Sequence, residues 1–227
     1  MKNKVREILR DLERTRENLL SLSDDIWLSI DHNNPDALEE GVAFKKAYND
    51  KLIAFDGLAE ELSILVQQYT QIRLEGEMEQ PEFSATEDTR NRIMCELDRE
   101  EPHALNEDFR YKRPYGFILQ DRPYKDVVTW RRIYELICRQ LLEKDFVQMS
   151  ALPDHPNFAS KRGNHSFARV PGDLRSACRI ADGLFAEINL SANSLRDQIR
   201  KLLSVFGIPE NEMTIYLRRD LDASSDS

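Results

Sequence analysis

Residues 184–217 carry the most complete set of local folding signals in the chain and therefore constrain the fold most strongly. The apolar run at 185–190 has the length of a strand. Ser191 or Ser194 can cap the helix that follows, whose apolar side chains recur with helical spacing. Gly207 suits a left-handed residue after the helix, and the stretch then returns to an extended pattern. These signals predict a strand–helix–strand unit without a reactive cluster of side chains.

The first seventy residues place apolar side chains at alternating steps of three and four, which is the period of a coiled coil. Asn34 is a favourable N-cap and Pro35 suits the first helical position, so a second helix begins soon after the first ends. The pattern predicts a long antiparallel hairpin whose seam must be buried against the rest of the chain, a second copy or another protein. The seam positions are Val5, Ile8, Leu12, Leu19, Leu22 and Ile26 in the first helix and Leu52, Phe55, Ala59, Leu62, Val66 and Tyr69 in the second.

The apolar period changes behind this hairpin. Two short aromatic and β-branched runs, residues 115–120 and 124–128, flank a turn predicted at residues 121–123, and Thr129 can cap the next helix. A further short helix is expected near residues 174–180. We therefore predict an α+β fold with a helical hairpin over 1–75, an acidic linker with a short helix over 76–109, a mixed α+β domain of about four strands over 110–219, and a disordered tail over 220–227.

Composition limits the functional classes. The net charge is −9, yet residues 1–79 hold 10 basic and 17 acidic side chains while residues 110–175 hold 13 and 7. A net acidic chain is a poor general ligand for polyanions, although a local basic face can still bind phosphate. Three cysteines are too few for a disulfide framework or a zinc cluster, and no apolar run suits a membrane span or a signal peptide. These features predict a cytoplasmic protein without a membrane partner.

Two sequence blocks in the rear half of the chain, residues 110–218, resemble a known family. The first is RPYGFILQDRPYKDVVTWRRIYELICRQLLEKD, residues 113–145, and the second is FAEINLSANSLRDQIRKLLSVFGI, residues 185–208, followed by IYL at 215–217. Together they resemble a small, uncharacterised C-terminal α+β domain of bacterial proteins that is associated with restriction and anti-phage systems. The resemblance covers about residues 110–218 and implies a setting, since the family brings no catalytic residues to transfer.

The basic middle of the chain contains the candidate binding residues. Such side chains, interleaved with Tyr111 and Tyr124, can hold a phosphate backbone while the aromatic rings stack on bases. The alternative is that these cations pair with the acidic front half of the same chain. The candidate nucleic-acid-binding residues are Arg110, Lys112, Arg113, Lys125, Arg131, Arg132, Lys161 and Arg162.

Catalytic and metal-binding patterns are incomplete. A metal-dependent nuclease needs several convergent carboxylates, and the sequence offers Glu187 with the loop residues Asp154, His155 and His165. A surface-facing strand position explains Glu187 more simply, and Cys138 lies in an apolar stretch typical of a core thiol. No nucleotide-binding loop or nucleophile motif is present. The sequence therefore predicts no catalytic residue, no metal site and no cofactor.

The prediction for function is a non-catalytic bacterial assembly or adaptor protein. Its helical front would form a homo-oligomer or a larger protein complex, because an excess of apolar helix invites a partner. Its rear domain would recognise protein or nucleic acid, the latter through residues 110–175. A role in anti-phage defence or DNA processing follows from the resemblance alone. The alternative is a metal-dependent nuclease or other hydrolase with an unrecognised site in the rear domain.

Overall fold

The front of the molecule is a pair of long antiparallel helices. The computed structural model describes residues 2–72, 87–158 and 165–218. Helix α1 spans Lys2–Ser29 and helix α2 spans Pro35–Thr70. The side-chain oxygen of Asn34 accepts the backbone N–H groups of Asp36 and Ala37, which satisfies two donors at the start of α2. The predicted hairpin and the predicted cap are both confirmed.

Polar contacts between the helices fix the register of the hairpin. The Tyr48 hydroxyl donates to the carbonyl of Leu19 at 3.0 Å, and the Lys45 ammonium donates to the carbonyl of Ser23 at 2.8 Å. At the closed end, a side chain on Gly41 would collide with Ile30, so glycine permits the close approach of α2 to the end of α1.

Within the described residues 87–158 and 165–218, the rear of the molecule contains two antiparallel sheets and four α-helices. The predicted α+β fold, with a long helical hairpin before a small sheet domain, is confirmed. The helices are α3 (Glu87–Leu97), α4 (Trp130–Lys144), α5 (Phe146–Ser150) and α6 (Ala192–Val205), and the strands are β1 (Pro102–His103), β2 (Pro114–Leu119), β3 (Arg122–Lys125), β4 (Phe167–Ala168), β5 (Ala177–Ala181), β6 (Leu184–Glu187) and β7 (Met213–Leu217).

The strand–helix–strand unit of residues 184–217 joins the two sheets. The first sheet has the strand order β1–β7–β2–β3 and the second has the order β4–β6–β5, so the two strands that flank α6 belong to different sheets. Ser191 caps α6 by accepting the N–H of Ser194, and Gly207 follows the helix with φ of +65°, as predicted. The sequence indicates about four strands, and the structure adds a second sheet of three strands that was not predicted.

Two local predictions in the rear domain are wrong in detail. The β2–β3 turn falls at Gln120 and Asp121, and Arg122 with Pro123 already belongs to β3. Proline is tolerated there because β3 is an edge strand and needs no outward hydrogen bond. Residues 174–180, for which a short helix is expected, instead lead into β5, where pairing with β6 decides the conformation.

One apolar core holds the rear domain together. It includes the fully buried side chains of Trp130, Tyr134, Phe117 and Ile199 and extends from Leu105 to Ile215 along the sequence. Within the described ranges, this cluster includes no residue of α1 or α2. The hairpin is therefore attached to the rear domain by other contacts.

The stretch between hairpin and core contributes to the rear domain. Leu97, Leu105 and Phe109 are fully buried, and β1 pairs with β7. The predicted domain division stays a prediction, and the tail at 220–227 lies outside the described residues. Among the helices that the structure describes, none combines the length and apolarity needed to cross a bilayer.

Candidate protein-interaction surface

One side of α1 presents a row of carboxylates to the rear domain. Glu13 forms an ion pair with Arg131, and Asp25 accepts hydrogen bonds from Arg110 at 2.5 Å and from the Tyr111 hydroxyl at 2.6 Å. Further along the row, Asp24 accepts the hydroxyl of Ser191 at 2.5 Å. These contacts join residues more than eighty positions apart, and they orient the hairpin on the rear domain.

Glu17 belongs to the same row and meets the start of α4. Its carboxyl oxygen accepts the backbone N–H of Trp130 at 2.6 Å, one of the donors that a helix N-terminus leaves unsatisfied. Thr129 caps the same helix by accepting the N–H of Arg132. Burial raises the pKa of Glu17 to about 7, although the Trp130 hydrogen bond and the charge of Arg16 act to lower it. The carboxyl group therefore changes charge near neutral pH at the hairpin contact.

A buried ion pair lies where the two helices meet the rear domain. Arg16 on α1 pairs with Asp56 on α2, and the side chains are 4% and 11% exposed. The Asp56 carboxylate also accepts the Ser176 hydroxyl at 3.2 Å, and the Arg16 guanidinium donates to the carbonyl of Ile188 at 3.4 Å. The pair thus joins both helices to the loops that flank β5 and β6.

The opposite side of the hairpin is apolar and uncovered within the part of the chain described here. With 3.6 residues per turn, the α1 positions of Ile8 and Leu22 point away from the row that contains Glu13 and Glu17. On α2, the side that carries Leu58, Leu62 and Leu65 likewise faces away from Asp56. We call this surface the outer apolar face; its large exposed members are Ile8, Leu22, Phe44, Leu58, Leu62, Leu65 and Tyr69.

The outer apolar face is large for a protein surface. Its side chains are 41% to 92% exposed, Leu22 being the least exposed and Tyr69 the most. At about 200 Å² for a large side chain, their exposed area is on the order of 800 Å². The largest contiguous apolar patch on a typical monomer is roughly 300–600 Å². The summed apolar area of this face exceeds that range, although the exposed Thr15 and Lys51 interrupt it.

A charged cleft separates α2 from the rear domain. It holds Arg131 at its centre and opens on one side into about 470 Å³ beside Gln67 and Gln71, and on the other into about 320 Å³ beside Thr129 and Cys178. Glu13 and Glu60 line both parts. Cations and carboxylates of the protein face each other across it, and this mixture does not select a ligand charge.

The predicted nucleic-acid-binding residues are largely engaged with carboxylates. Lys125 pairs with Glu96 and Arg132 with Glu135, in addition to the pairs of Arg110 and Arg131 with α1. Lys112 is exposed, with its ammonium 5.9 Å from the centre of the Phe109 ring. Arg113 lines a cavity with Arg218 and the acidic side of α1. Lys161 and Arg162 lie outside the described residues.

These ion pairs favour the alternative that the sequence leaves open, in which the basic middle neutralises the acidic front. Arg110 shows the effect most clearly, because its hydrogen bonds to Asp108 and then to Asp25 raise the pKa of its guanidinium. The same contacts hold the pKa of the Asp108 carboxyl well below its ordinary range. Nucleic-acid binding by this set stays a prediction.

Glu187 is buried and hydrogen-bonded to the backbone. It is 4% exposed, so the prediction of a surface-facing strand residue is wrong. Its carboxylate accepts the backbone N–H groups of Arg175 at 2.8 Å, Ser176 at 3.2 Å and Asn189 at 2.8 Å. A carboxylate with three such donors fixes the loop before β5 and the end of β6.

The other candidates for chemistry do not converge. Asp154 pairs with Arg169, and His155 accepts the backbone N–H of Asn157. Cys138 is fully buried, as predicted for a core thiol, and burial raises the pKa of that thiol well above its ordinary value. Over residues 2–72, 87–158 and 165–218, no group of three or more histidine, cysteine or acidic side chains is arranged to hold a metal ion.

Sequence reasoning found part of the outer apolar face and missed the rest. Ile8, Leu22, Leu62 and Tyr69 belong to the predicted seam, but Leu58 and Leu65 do not. They belong to a second seven-residue row, offset from the first, that also contains Phe44.

Comparison of the chain with protein-family models, curated proteins and solved structures gave no match.

Proposed function

We propose that this protein is a non-catalytic assembly protein whose helical front binds amphipathic helices of a partner through the outer apolar face. The observation that carries the proposal is the size and position of that face, which lies on the side of the hairpin away from the rear domain. A partner of the right chemistry presents apolar side chains at a 3.5-residue period, because α1 and α2 use that period themselves.

The rear domain gives the hairpin its orientation in this proposal. The carboxylate row of α1 and the Arg16–Asp56 pair hold one side of the hairpin against the rear domain, so the apolar side is presented outward. A fixed orientation reduces the conformational entropy that binding would otherwise remove. Recognition of a further protein by the rear domain is part of the proposal, whereas the ion pairs of its cations speak against nucleic acid as the ligand. The resemblance of residues 110–218 adds an anti-phage or DNA-processing setting.

The experiment is site-specific photocrosslinking in cells that produce the protein. A benzophenone amino acid at Tyr69 tests the outer apolar face, and the same group at Lys46 is the control, since Lys46 is exposed on another side of α2. We expect an adduct from position 69 that maps to an amphipathic helix of another polypeptide chain. The adduct should be lost when Leu65→Glu is added. Equal crosslinking at both positions, or none at either, would contradict the proposal.

A further inference from the structure

The outer apolar face offers a two-helix platform, which points to the form of its partner. Ile8 and Leu22 come from α1, with the exposed Thr15 between them on the same seven-residue row, whereas Leu58, Leu62 and Leu65 come from α2, so both helices contribute apolar side chains to the face. Two further helices complete such a platform as a four-helix bundle, in which each helix buries its stripe against its neighbours. A single helix would leave part of the platform in water.

We propose that the partner is a second copy of this chain, with the two hairpins packed face to face as a four-helix bundle. This inference rests on the proposed function and deepens it by naming the occupant of the outer apolar face. The two rear domains would lie at opposite ends of the dimer cross-section, because each is attached to the other side of its own hairpin.

The area agrees with what a stable dimer needs. A standard specific interface buries about 800 Å² on each partner, and the exposed area of the outer apolar face is on the order of that value. A second copy would cover the whole face, because both surfaces have the same length and width. In a two-fold dimer the same patch serves on both subunits.

The periodicity agrees with self-association as well. Phe44, Lys51, Leu58 and Leu65 fall on one seven-residue row, in which Lys51 is the polar member, and Phe55, Leu62 and Tyr69 fall on another. Helices that share a strict seven-residue repeat remain in register along their length, which lets side chains of one helix insert between those of the next. The chain itself supplies helices of the matching period.

The charges beside the face do not select a partner of opposite sign. Lys4 on α1 and Lys51 and Glu61 on α2 are exposed along or within the face, so charges of both signs occur there. A surface built for a strongly basic or acidic partner would carry one sign on its rim. A mixed rim can complement a copy of itself.

The test is sedimentation velocity on the purified full-length chain over a concentration series. We expect a species of twice the 26.5 kDa chain mass. Tyr69→Glu should raise the dissociation constant at least about tenfold, because it sets a charge in an apolar interface. Tyr69 is 92% exposed in the single chain, so this variant leaves monomer folding intact. The control Lys46→Glu adds a carboxylate on another side of α2 and should leave the dimer unchanged.

Each outcome separates the two proposals. A dimer weakened by Tyr69→Glu but not by Lys46→Glu supports both. A monomer whose position 69 still crosslinks to a helix of another protein refutes the second copy and leaves the assembly function in place. If neither Tyr69→Glu nor Leu65→Glu changes the dissociation constant of the dimer relative to the natural chain, the second copy at this face is refuted. A monomer without any crosslink at position 69 refutes both proposals.

Discussion

Glu17 makes the contact between the hairpin and the rear domain sensitive to pH. Its carboxyl group lies between α1 and the start of α4, where it accepts the N–H of Trp130. The surrounding charges are Arg16 and Glu13 on α1 and Arg131 on α4. Burial outweighs the favourable contacts and raises the pKa to about 7 from an ordinary value of 4.5. The folded protein therefore holds the proton more tightly than the unfolded chain.

The stability contribution of the protonated Glu17 is fully present below pH 4.5 and is lost as the pH rises through about 7. A glutamine side chain at this position cannot ionise but can still accept the Trp130 N–H through its amide oxygen. We therefore expect Glu17→Gln to gain unfolding free energy relative to the natural chain, by about 1–3 kcal/mol, as the pH rises from 4.5 to 8. Urea unfolding across this pH range measures the difference. The control is Glu39→Gln, which removes an exposed carboxylate outside this contact; the same pH dependence in both variants would contradict the assignment.

The Arg16–Asp56 pair yields a second prediction at the residue scale. Removing one partner leaves a buried charge, so Asp56→Leu should lower the unfolding free energy by about 3 kcal/mol or more. The double variant Arg16→Leu with Asp56→Leu should recover a large part of that loss, because no charge is left in the site. A double-mutant cycle from denaturant unfolding measures the coupling, and additive losses would show that the pair does not act as a unit.

Contacts between residues that are distant in the chain could not be predicted from the sequence. Arg131 and Arg132 are neighbours, yet one pairs with Glu13 on α1 and the other with Glu135 on its own helix. A count of basic side chains treats them alike and predicts a common phosphate site. The partner of Arg132 lies three residues along its own helix, which a local pattern can indicate, whereas the partner of Arg131 depends on the path of the chain.

At the scale of elements, local signals predict the helices well. The sequence identifies Asn34 and Thr129 as caps and offers Ser191 or Ser194 for the third helix. Asn34, Thr129 and Ser191 accept backbone N–H groups at the start of their helices. The partition of the strands into two sheets was not predictable in the same way. The pairing of β1 with β7 joins positions more than a hundred residues apart, and β6 and β7 flank one helix but belong to separate sheets.

The β2–β3 pair gives a prediction at this scale. A side chain on Gly116 would collide with the carbonyl of Tyr124 and approach the backbone of Lys125, atoms that cannot move without breaking the pairing. Gly116→Ala should therefore lower the unfolding free energy by roughly 2 kcal/mol or more, in the range of overpacked sites. Thermal unfolding measures the loss. Gly172→Ala is the matched control, because open space surrounds Gly172; equal losses in both variants would contradict the explanation.

At the scale of the whole molecule, the charge asymmetry of the sequence is partly resolved inside the protein. The acidic side of α1 engages Arg110 and Arg131 of the basic middle, so these cations already have anionic partners. A polyanion would have to displace those carboxylates. This arrangement explains how a chain of net charge −9 can hold a strongly basic segment.

Polyanion binding should consequently be weak. We expect no gel shift of mixed-sequence DNA or RNA at physiological ionic strength, and at most a weak one in dilute buffer. The measurement is a titration with purified protein at several salt concentrations. A strong shift that Lys112→Glu weakens would instead support nucleic-acid recognition through residues 110–175.

The central claim is that the outer apolar face of one chain meets the same face of another. Pulsed dipolar spectroscopy tests this with a spin label at Glu61→Cys, on the rim of the face, with the exposed Cys95 and the half-buried Cys178 replaced by serine. The account predicts a distance between labels on the order of 20–30 Å, two to three helix spacings, that vanishes when labelled protein is diluted with unlabelled protein. The absence of any dipolar coupling between chains at concentrations up to about 100 μM, well above the dissociation constant of a specific interface, would contradict it.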